Sequence, residues 1–407
     1  MVRRAVLLGC LALVHAIPAG AQSTQGVDPD ASTTHLGPIG ITPTFFLRAV
    51  GRDDNVFNDA VNPKSDYTFT LVPGAKMLLK PRFLRLEYIT STEYVYYRQY
   101  KTERSTNNSS GLRVQFNLAR IQPYVTTTGS SSKERINTEV DKRARHRERM
   151  YGGGVGVKLG SRFTLGSAVR FTRLEFDPGA TFRGEDLARN FNSDLRSIET
   201  SAIIELTPFT SFTLAVSREQ QLFAQSHERD SDSWRVTPTF SFSPQAVLNG
   251  AISFGYRRFT PRSPALPAFS GLVATATAGT TLWSRYRLDM IFGRDLRYSY
   301  QADTPYYLMT GGTLTVTVSL AGPFDLQANG SRQILAYRGN LVTLNTKLPG
   351  DDTVTGYGGG FGYRPIERLR IGINAGWSQR DSQLASDREF KNRRIFGALT
   401  WGTGGAQ

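Results

Sequence analysis

The chain has 407 residues, and its 49 lysines and arginines against 34 acidic residues give a formal net charge of +15. Hydrophobic residues make up only 39% of the sequence, and no run approaches the 18 or so consecutive apolar residues of a membrane helix. A basic cytosolic protein would point to nucleic acid, whereas an exported one meets lipid phosphates, acidic polysaccharide and organic acids.

The N-terminus has the features of an export signal. Arg3 and Arg4 precede a short apolar stretch, and Ala19-Gly20-Ala21 forms a small-x-small cleavage site. This arrangement predicts a signal peptide over 1–21, followed by a periplasmic leader over 22–41. Cleavage would remove the only cysteine, which excludes disulfides and cysteine-ligated metals from the mature chain.

Apolar and polar residues alternate along much of the chain, most clearly from Leu369 to Trp377. Successive side chains of a strand point to opposite faces, so such a segment has one apolar and one polar, cationic face. The pattern returns about every twenty residues. It predicts an all-β fold, a transmembrane up-and-down antiparallel β-barrel of about 18 strands (16 possible), over 42–402. A C-terminal tail follows at 403–407.

The predicted strands and their connections fit an outer-membrane orientation. Long polar loops alternate with short turns, so eighteen strands give nine loops and eight turns with both termini in the periplasm. Aromatic residues such as Trp377 and Trp401 lie near strand ends, where interfacial girdles occur. The last strand, Arg394–Trp401, resembles the closing strand that the barrel assembly machinery recognises. The predicted strands are 42–52, 66–78, 83–97, 108–118, 120–132, 146–159, 162–174, 195–207, 209–222, 232–243, 247–260, 268–281, 284–297, 306–320, 322–337, 353–364, 367–380 and 390–402.

The polar register is expected to face the lumen. Arginine pairs bidentately with carboxylate or phosphate, and rings of arginine select anions in pores. Acidic residues are also expected there (Glu87, Glu205, Asp289 and Asp325), so a mixed, weakly selective lumen is the alternative. The longest loop, 175–194, is a candidate constriction. The predicted pore-lining residues are Arg85, Arg113, Arg170, Arg235, Arg257, Arg285, Arg287, Arg368, Arg370 and Arg380.

Catalytic and metal sites have little support in the sequence. The best catalytic candidate is His227 with the acidic residues around it, but the same composition is typical of a solvated loop. Asp53, Asp54 and Asn55 offer oxygen atoms to Ca²⁺, although three adjacent residues cannot complete its shell and a turn cap is favoured. We therefore predict no catalysis, no metal and no cofactor.

Two stretches resemble a known family. Gly51–Phe57, at the end of the first strand, and the hairpin Gly154–Phe176 are similar to outer-membrane β-barrel porins often found with exopolysaccharide secretion genes. The resemblance implies an outer-membrane pore of the Gram-negative type, serving polysaccharide export or uptake of small solutes. By strand number and arginine-rich lumen the chain also resembles the alginate-export porin.

The resulting hypothesis is a porin-like channel for passive diffusion or export, favouring anionic solutes or polysaccharide. The alternative is a non-conducting structural or binding barrel whose lumen is blocked. The expected partners are outer-membrane lipid and lipopolysaccharide, the barrel assembly machinery, and small solutes or anionic polysaccharide. No nucleic-acid partner is expected, and a homo-oligomer is left open.

Overall fold

The computed structural model describes residues 34–301, 304–339, 350–366 and 368–402. The predicted signal peptide and C-terminal tail lie outside these residues. The helical elements are α1 (Leu187–Phe191) and three 3-10 turns, at Lys101–Glu103, His227–Arg229 and Ser386–Arg388. The strands are β1 (Thr34–Leu36), β2 (Ile39–Asp53), β3 (Asp66–Leu79), β4 (Leu84–Tyr97), β5 (Ser105–Phe116), β6 (Ile121–Glu134), β7 (Ala144–Lys158), β8 (Phe163–Phe176), β9 (Thr181–Phe182), β10 (Glu185–Asp186), β11 (Ser193–Thr207), β12 (Thr210–Phe223), β13 (Ser231–Phe242), β14 (Leu248–Pro261), β15 (Phe269–Leu282), β16 (Tyr286–Tyr298), β17 (Tyr306–Ser319), β18 (Phe324–Arg338), β19 (Asp351–Ile366), β20 (Leu369–Ser382) and β21 (Phe390–Trp401).

Eighteen of the described strands, β2–β8 and β11–β21, form one closed antiparallel barrel. Each pairs with the next along the chain, β8 pairs with β11, and β2 pairs with β21 to close the ring. Every barrel strand therefore has two neighbours, and no edge is left unpaired in lipid. The predicted fold class is confirmed, and each predicted strand overlaps one barrel strand with ends that agree within three residues.

The side-chain alternation decides which face of the sheet meets lipid. On β20, Ile371 and Ile373 are exposed on the outer surface, whereas Arg370 and Gly372, which alternate with them, are buried. The same parity holds on β8, where Val169 is 57% exposed and is followed by the less exposed Arg170. Apolar side chains therefore cover most of the outside, and polar ones point inward. Among the described residues, no helix is long and apolar enough to cross a membrane.

The two ends of the barrel differ in their connections. Eight short turns join strands at one end, which we call the turn end, and both the first and last barrel strands terminate there. Longer connections lie at the opposite end, which we call the loop end; within them, 302–303 and 340–349 are outside the described residues. In outer-membrane barrels the short turns face the periplasm and the long loops face outward.

The structure explains why the motif Gly51–Phe57, at the end of the first barrel strand, begins with a glycine. A Cβ atom on Gly51 would lie 2.0 Å from the carbonyl oxygen of Ile395 on β21, so only glycine fits at this closing seam. The ladder is irregular just before it, where Ala49 has a φ of 51° and the register with β21 shifts.

Candidate pore and loop plug

The loop end is bridged by the connection between β6 and β7, residues 135–143, which we call the bridging loop. Its Glu139 carboxylate accepts a hydrogen bond from the Ser299 hydroxyl (2.6 Å) and another from the Tyr300 amide (3.1 Å). The backbone carbonyl of Glu139 accepts from Arg380 Nη1 on β20 (3.1 Å). Ser299 and Tyr300 lie in the connection after β16, on the side of the barrel opposite β6 and β7. The bridging loop therefore crosses the mouth of the barrel.

An apolar core fills the space under these loops. Val140 of the bridging loop and Leu187 of α1 are completely buried, and both belong to a cluster with Phe176, Phe191 and Tyr300. The predicted constriction, 175–194, supplies part of this cluster. Sequence reasoning missed the bridging loop, although two apolar residues four apart in an otherwise charged loop (Ile136 and Val140) were the available signal. We call this set of packed loops the loop plug.

A buried ionic network, which we call the latch, fixes the bridging loop to the wall. Arg380 contacts the Asp352 carboxylate and lies 2.9 Å from Asp141 of the bridging loop. Arg388 lies 2.9 Å from Asp352 and 3.8 Å from Glu139. Arg380 is only 2% exposed, so this predicted pore-lining residue is covered by the bridging loop instead of facing open space. Burial raises the pKa of Glu139, in the loop, to about 7.

Arg229 joins its own loop, before β13, to two other loops, and it was not predicted from the sequence. Its guanidinium donates to the carbonyl of Asn190 (2.8 Å), to that of Pro305 (2.8 Å) and to that of Ser299. The side chain is 3% exposed, and burial lowers its pKa. Because carbonyl groups from the connections before β11 and before β17 converge on one cation, these loops are held as a single unit.

A second ionic cluster, which we call the wall cluster, lies inside the barrel near the loop end. Arg257 Nη1 is 2.8 Å from Asp295 and its Nη2 is 3.2 Å from Glu219. Arg235 is also 2.8 Å from Asp295. Arg257 on β14 reaches Asp295 on β16 across β15, where its register partner is Gly271. Two predicted pore arginines are thus brought together with two carboxylates.

A third cluster, the rim cluster, lies at the turn end. Arg370 on β20 donates to Asp325 on β18 (2.7 Å), and Arg364 donates to the same carboxylate (3.0 Å). Gly362 on the intervening β19 leaves the room for this contact. A Cβ atom there would come within 2.6 Å of both the carboxylate and the guanidinium.

The remaining predicted pore arginines on strands differ in their contacts: two form ion pairs, one stacks on a tyrosine ring and one does neither among the described residues. Arg287 is 2.6 Å from Asp289, and Arg85 is 3.3 Å from Glu87. Arg113 stacks over the Tyr124 ring, 4.2 Å from its centroid. Within the described part of the chain, Arg170 makes no hydrogen bond or ion pair at contact distance, and the acid whose charge acts on it is Glu199 of β11.

Arg285 and Arg368 depart from the prediction. Both lie in turns at the turn end and are exposed, not on the inner face of a strand. The reason is that the observed strands begin at Tyr286 and Leu369, two residues later than predicted. The alternation that suggested an inward direction does not apply before a strand has begun.

The candidate catalytic and metal residues have ordinary structural surroundings. The His227 side chain is 75% exposed, and its Nδ1 lies 3.8 Å from Asp230. Asp53 accepts hydrogen bonds from the Asn55 amide and from Asn392, and it pairs with Arg394. Among the described residues, no group of three or more potential ligands is arranged to hold a metal.

The sequence profile of the family described as Putative beta-barrel porin 2 matches residues 46–400, which is most of the chain. The chain belongs to this family. It is therefore a porin-like β-barrel of the Gram-negative-type outer membrane, as the sequence predicted. No curated protein matches the chain in sequence.

Two solved structures have a similar fold. Pseudomonas aeruginosa OccK2 (OpdF) is 10% identical with a TM-score of 0.51, covering 89% of this chain and 97% of that one. A BenF-like porin from Pseudomonas fluorescens Pf-5 is 12% identical with a TM-score of 0.50, covering 89% and 98%. At such low identities, the similarity of this chain to the two solved structures concerns the fold alone.

Proposed function

We propose that this barrel is an outer-membrane channel for small anionic solutes, closed at its loop end by a loop plug that opens for passage. The observation that carries the proposal is the series of inward arginines along the whole lumen. Arg370 lies at the turn end, Arg170 midway along β8, and Arg235 and Arg257 near the loop end. A mobile anion can displace a wall carboxylate from its arginine at each step, since both present the same bidentate acceptor.

Single-channel current across a planar bilayer with a salt gradient tests the proposal. We expect an anion-selective reversal potential. Arg170→Gln should reduce the anion preference, because in the described structure Arg170 is not engaged in an ion pair at contact distance and only the charge of Glu199 acts on it. The matched control is Arg332→Gln, which removes an exposed arginine on the outer parity of β18. Cation-selective current, or equal effects of the two variants, would contradict the anionic preference.

A second candidate is the non-conducting structural or binding barrel. The specific observation in its favour is that loops from widely separated strands are joined by buried contacts, including Glu139 with Ser299 and Arg229 with Pro305. The bilayer experiment separates the two candidates. No current from folded, heat-modifiable protein at any voltage or pH, even after the latch is broken by substitution, would favour the non-conducting barrel.

A further inference from the structure

One part of the outer face is not apolar. On β7, β8, β11, β12 and β14, exposed arginines share the outward parity of the lipid-facing side chains and lie three to five residues from the loop end of their strands. Arg258, for example, continues the outward series of Phe254 and Tyr256, which are 59% and 52% exposed. These outward-facing arginines are Arg147, Arg149, Arg173, Arg196, Arg218 and Arg258.

The strand register places these arginines beside apolar and aromatic side chains. One row of paired residues contains Tyr151, Phe171 and Arg196. In the adjacent row, Ile198 is paired with Arg218, which in turn is paired with Trp234. The Arg218 guanidinium also lies over the Trp234 ring, 5.7 Å from its centroid. A groove between these rows, which we call the outer groove, is lined by Tyr151, Val169, Phe171, Arg196, Ile198 and Arg218.

The charges around the outer groove are not balanced. Asp194 is held by Arg173 through two contacts of 2.7 and 2.9 Å. Asp232 accepts from Gln220 (2.8 Å) and from Arg262 (3.3 Å), and lies 3.7 Å from Arg218. Glu175 is the remaining acid of these strands on the same parity near the loop end.

Two of the arginines beside the groove have their charge available. Within the described residues, neither Arg149 nor Arg196 makes a hydrogen bond or ion pair. Both are exposed. The outer groove therefore combines an apolar floor with a net positive border, at the level where strands leave the apolar belt.

We propose that the outer groove binds a phosphorylated, multiply acylated glycolipid of the outer leaflet. Its phosphate would be held by Arg196 and Arg218, because the planar guanidinium matches phosphate oxygens bidentately. Its acyl chains would lie along Val169 and Ile198, which are 57% and 51% exposed. Aromatic side chains at this depth, such as Trp234, are suited to the headgroup boundary.

Native mass spectrometry of the full-length barrel in detergent tests this site, with diphosphorylated lipid A as the probe. We expect saturable one-to-one binding. The double variant R196Q/R218Q should bind about 25-fold more weakly, at about fivefold for each arginine near an anionic lipid surface. Arg332→Gln on β18 is the matched control and should bind like the unmodified chain, since it removes an outward arginine far from the outer groove.

Two further measurements identify the source of the bound anion and test whether a loss of binding reflects misfolding. Inorganic phosphate at millimolar concentration should neither bind detectably nor compete with lipid A; equal binding of phosphate alone would replace the lipid site with a free-anion site. Arg196→Lys keeps the charge but not the bidentate contact, so its affinity should lie between that of the unmodified chain and that of Arg196→Gln. If heat-modifiable R196Q/R218Q protein bound lipid A as well as the control did, the proposal would be wrong, whatever the channel measurements show.

Discussion

The hydroxyl of Ser299 donates a 2.6 Å hydrogen bond to Glu139, although eight barrel strands lie between the two residues along the chain. In a closed barrel of eighteen strands, that separation spans nearly half the circumference. A contact between these side chains is therefore possible only because the bridging loop crosses the mouth. The loop end is thus closed by specific polar contacts as well as by apolar packing.

Acidification should tighten the loop plug. The pKa of Glu139 is about 7 when the side chain is buried and 4.5 when it is exposed. Between pH 4.5 and pH 7, unpacking the loops therefore releases the proton of Glu139. Packing is most stable below pH 4.5 and weakens as the pH rises to about 7, where the ionised carboxylate faces only Arg388 and Arg380 as compensating charges. We expect more frequent channel opening at pH 8 than at pH 5.

Glu139→Gln should abolish most of this pH dependence, because the amide does not titrate. Its oxygen can still accept from the Tyr300 amide, while its NH2 donates to the Ser299 hydroxyl. Glu228→Gln, at an exposed position in the loop before β13, is the control and should keep the dependence. Open probability measured in bilayers between pH 4.5 and 8 decides the matter; an unchanged pH profile in Glu139→Gln would assign the effect to another group.

Breaking the latch should open the plug. Arg380→Gln leaves the buried Asp352 with Arg388 as its remaining cation, and removing one partner of a buried pair costs about 3–5 kcal/mol. We expect larger or more frequent currents from a barrel that still shows heat-modifiable migration. The double variant Arg380→Gln/Asp352→Asn should recover part of the closed behaviour, since the buried carboxylate at position 352 is gone and only Asp141 still lacks its contact with Arg380. Equal currents in all three proteins would show that the latch does not control the mouth.

Gly362→Ala should destabilise the turn end. The added Cβ would lie 2.5 Å from Asp325 and 2.6 Å from Arg370, so the ion pair must separate. Overpacking of this kind costs about 1–3 kcal/mol. The control is Gly376→Ala on β20, where a Cβ would meet nothing within 4 Å. The fraction folded at each urea concentration can be followed by heat-modifiable gel migration. The urea midpoint of Gly362→Ala should be lower than that of Gly376→Ala. Equal midpoints would mean that the rim cluster rearranges without cost.

Asp295→Asn should increase anion selectivity. It removes one negative charge from the wall cluster and leaves Arg235 and Arg257 with Glu219 as their shared carboxylate. A unit charge about 10 Å from a passing ion is worth about 0.4 kcal/mol in water, with opposite signs for anions and cations. The anion-to-cation ratio should therefore change about fourfold. Asp194→Asn on the outer face should leave the reversal potential unchanged. Equal shifts in both variants would place the Asp295 effect outside the lumen.

The barrel itself could be predicted from the sequence because its signals are local. Alternation of residues such as Ile371 and Ile373 with polar neighbours depends only on strand geometry and on the lipid outside. The same reasoning placed Arg370 and Arg257 on the inner face. It failed for Arg285 and Arg368 because strand ends depend on turn geometry, which the alternation does not encode.

Local patterns were therefore enough to predict the closed sheet and the inward direction of most wall arginines. The contacts that cover Arg380, compensate two arginines with Asp295 and bring the bridging loop to Ser299 became visible only in the folded barrel. These features arise from contacts between residues far apart in the chain. Their partners are selected by the circumference of the barrel and by the burial of charge, and neither leaves a periodic pattern in the sequence.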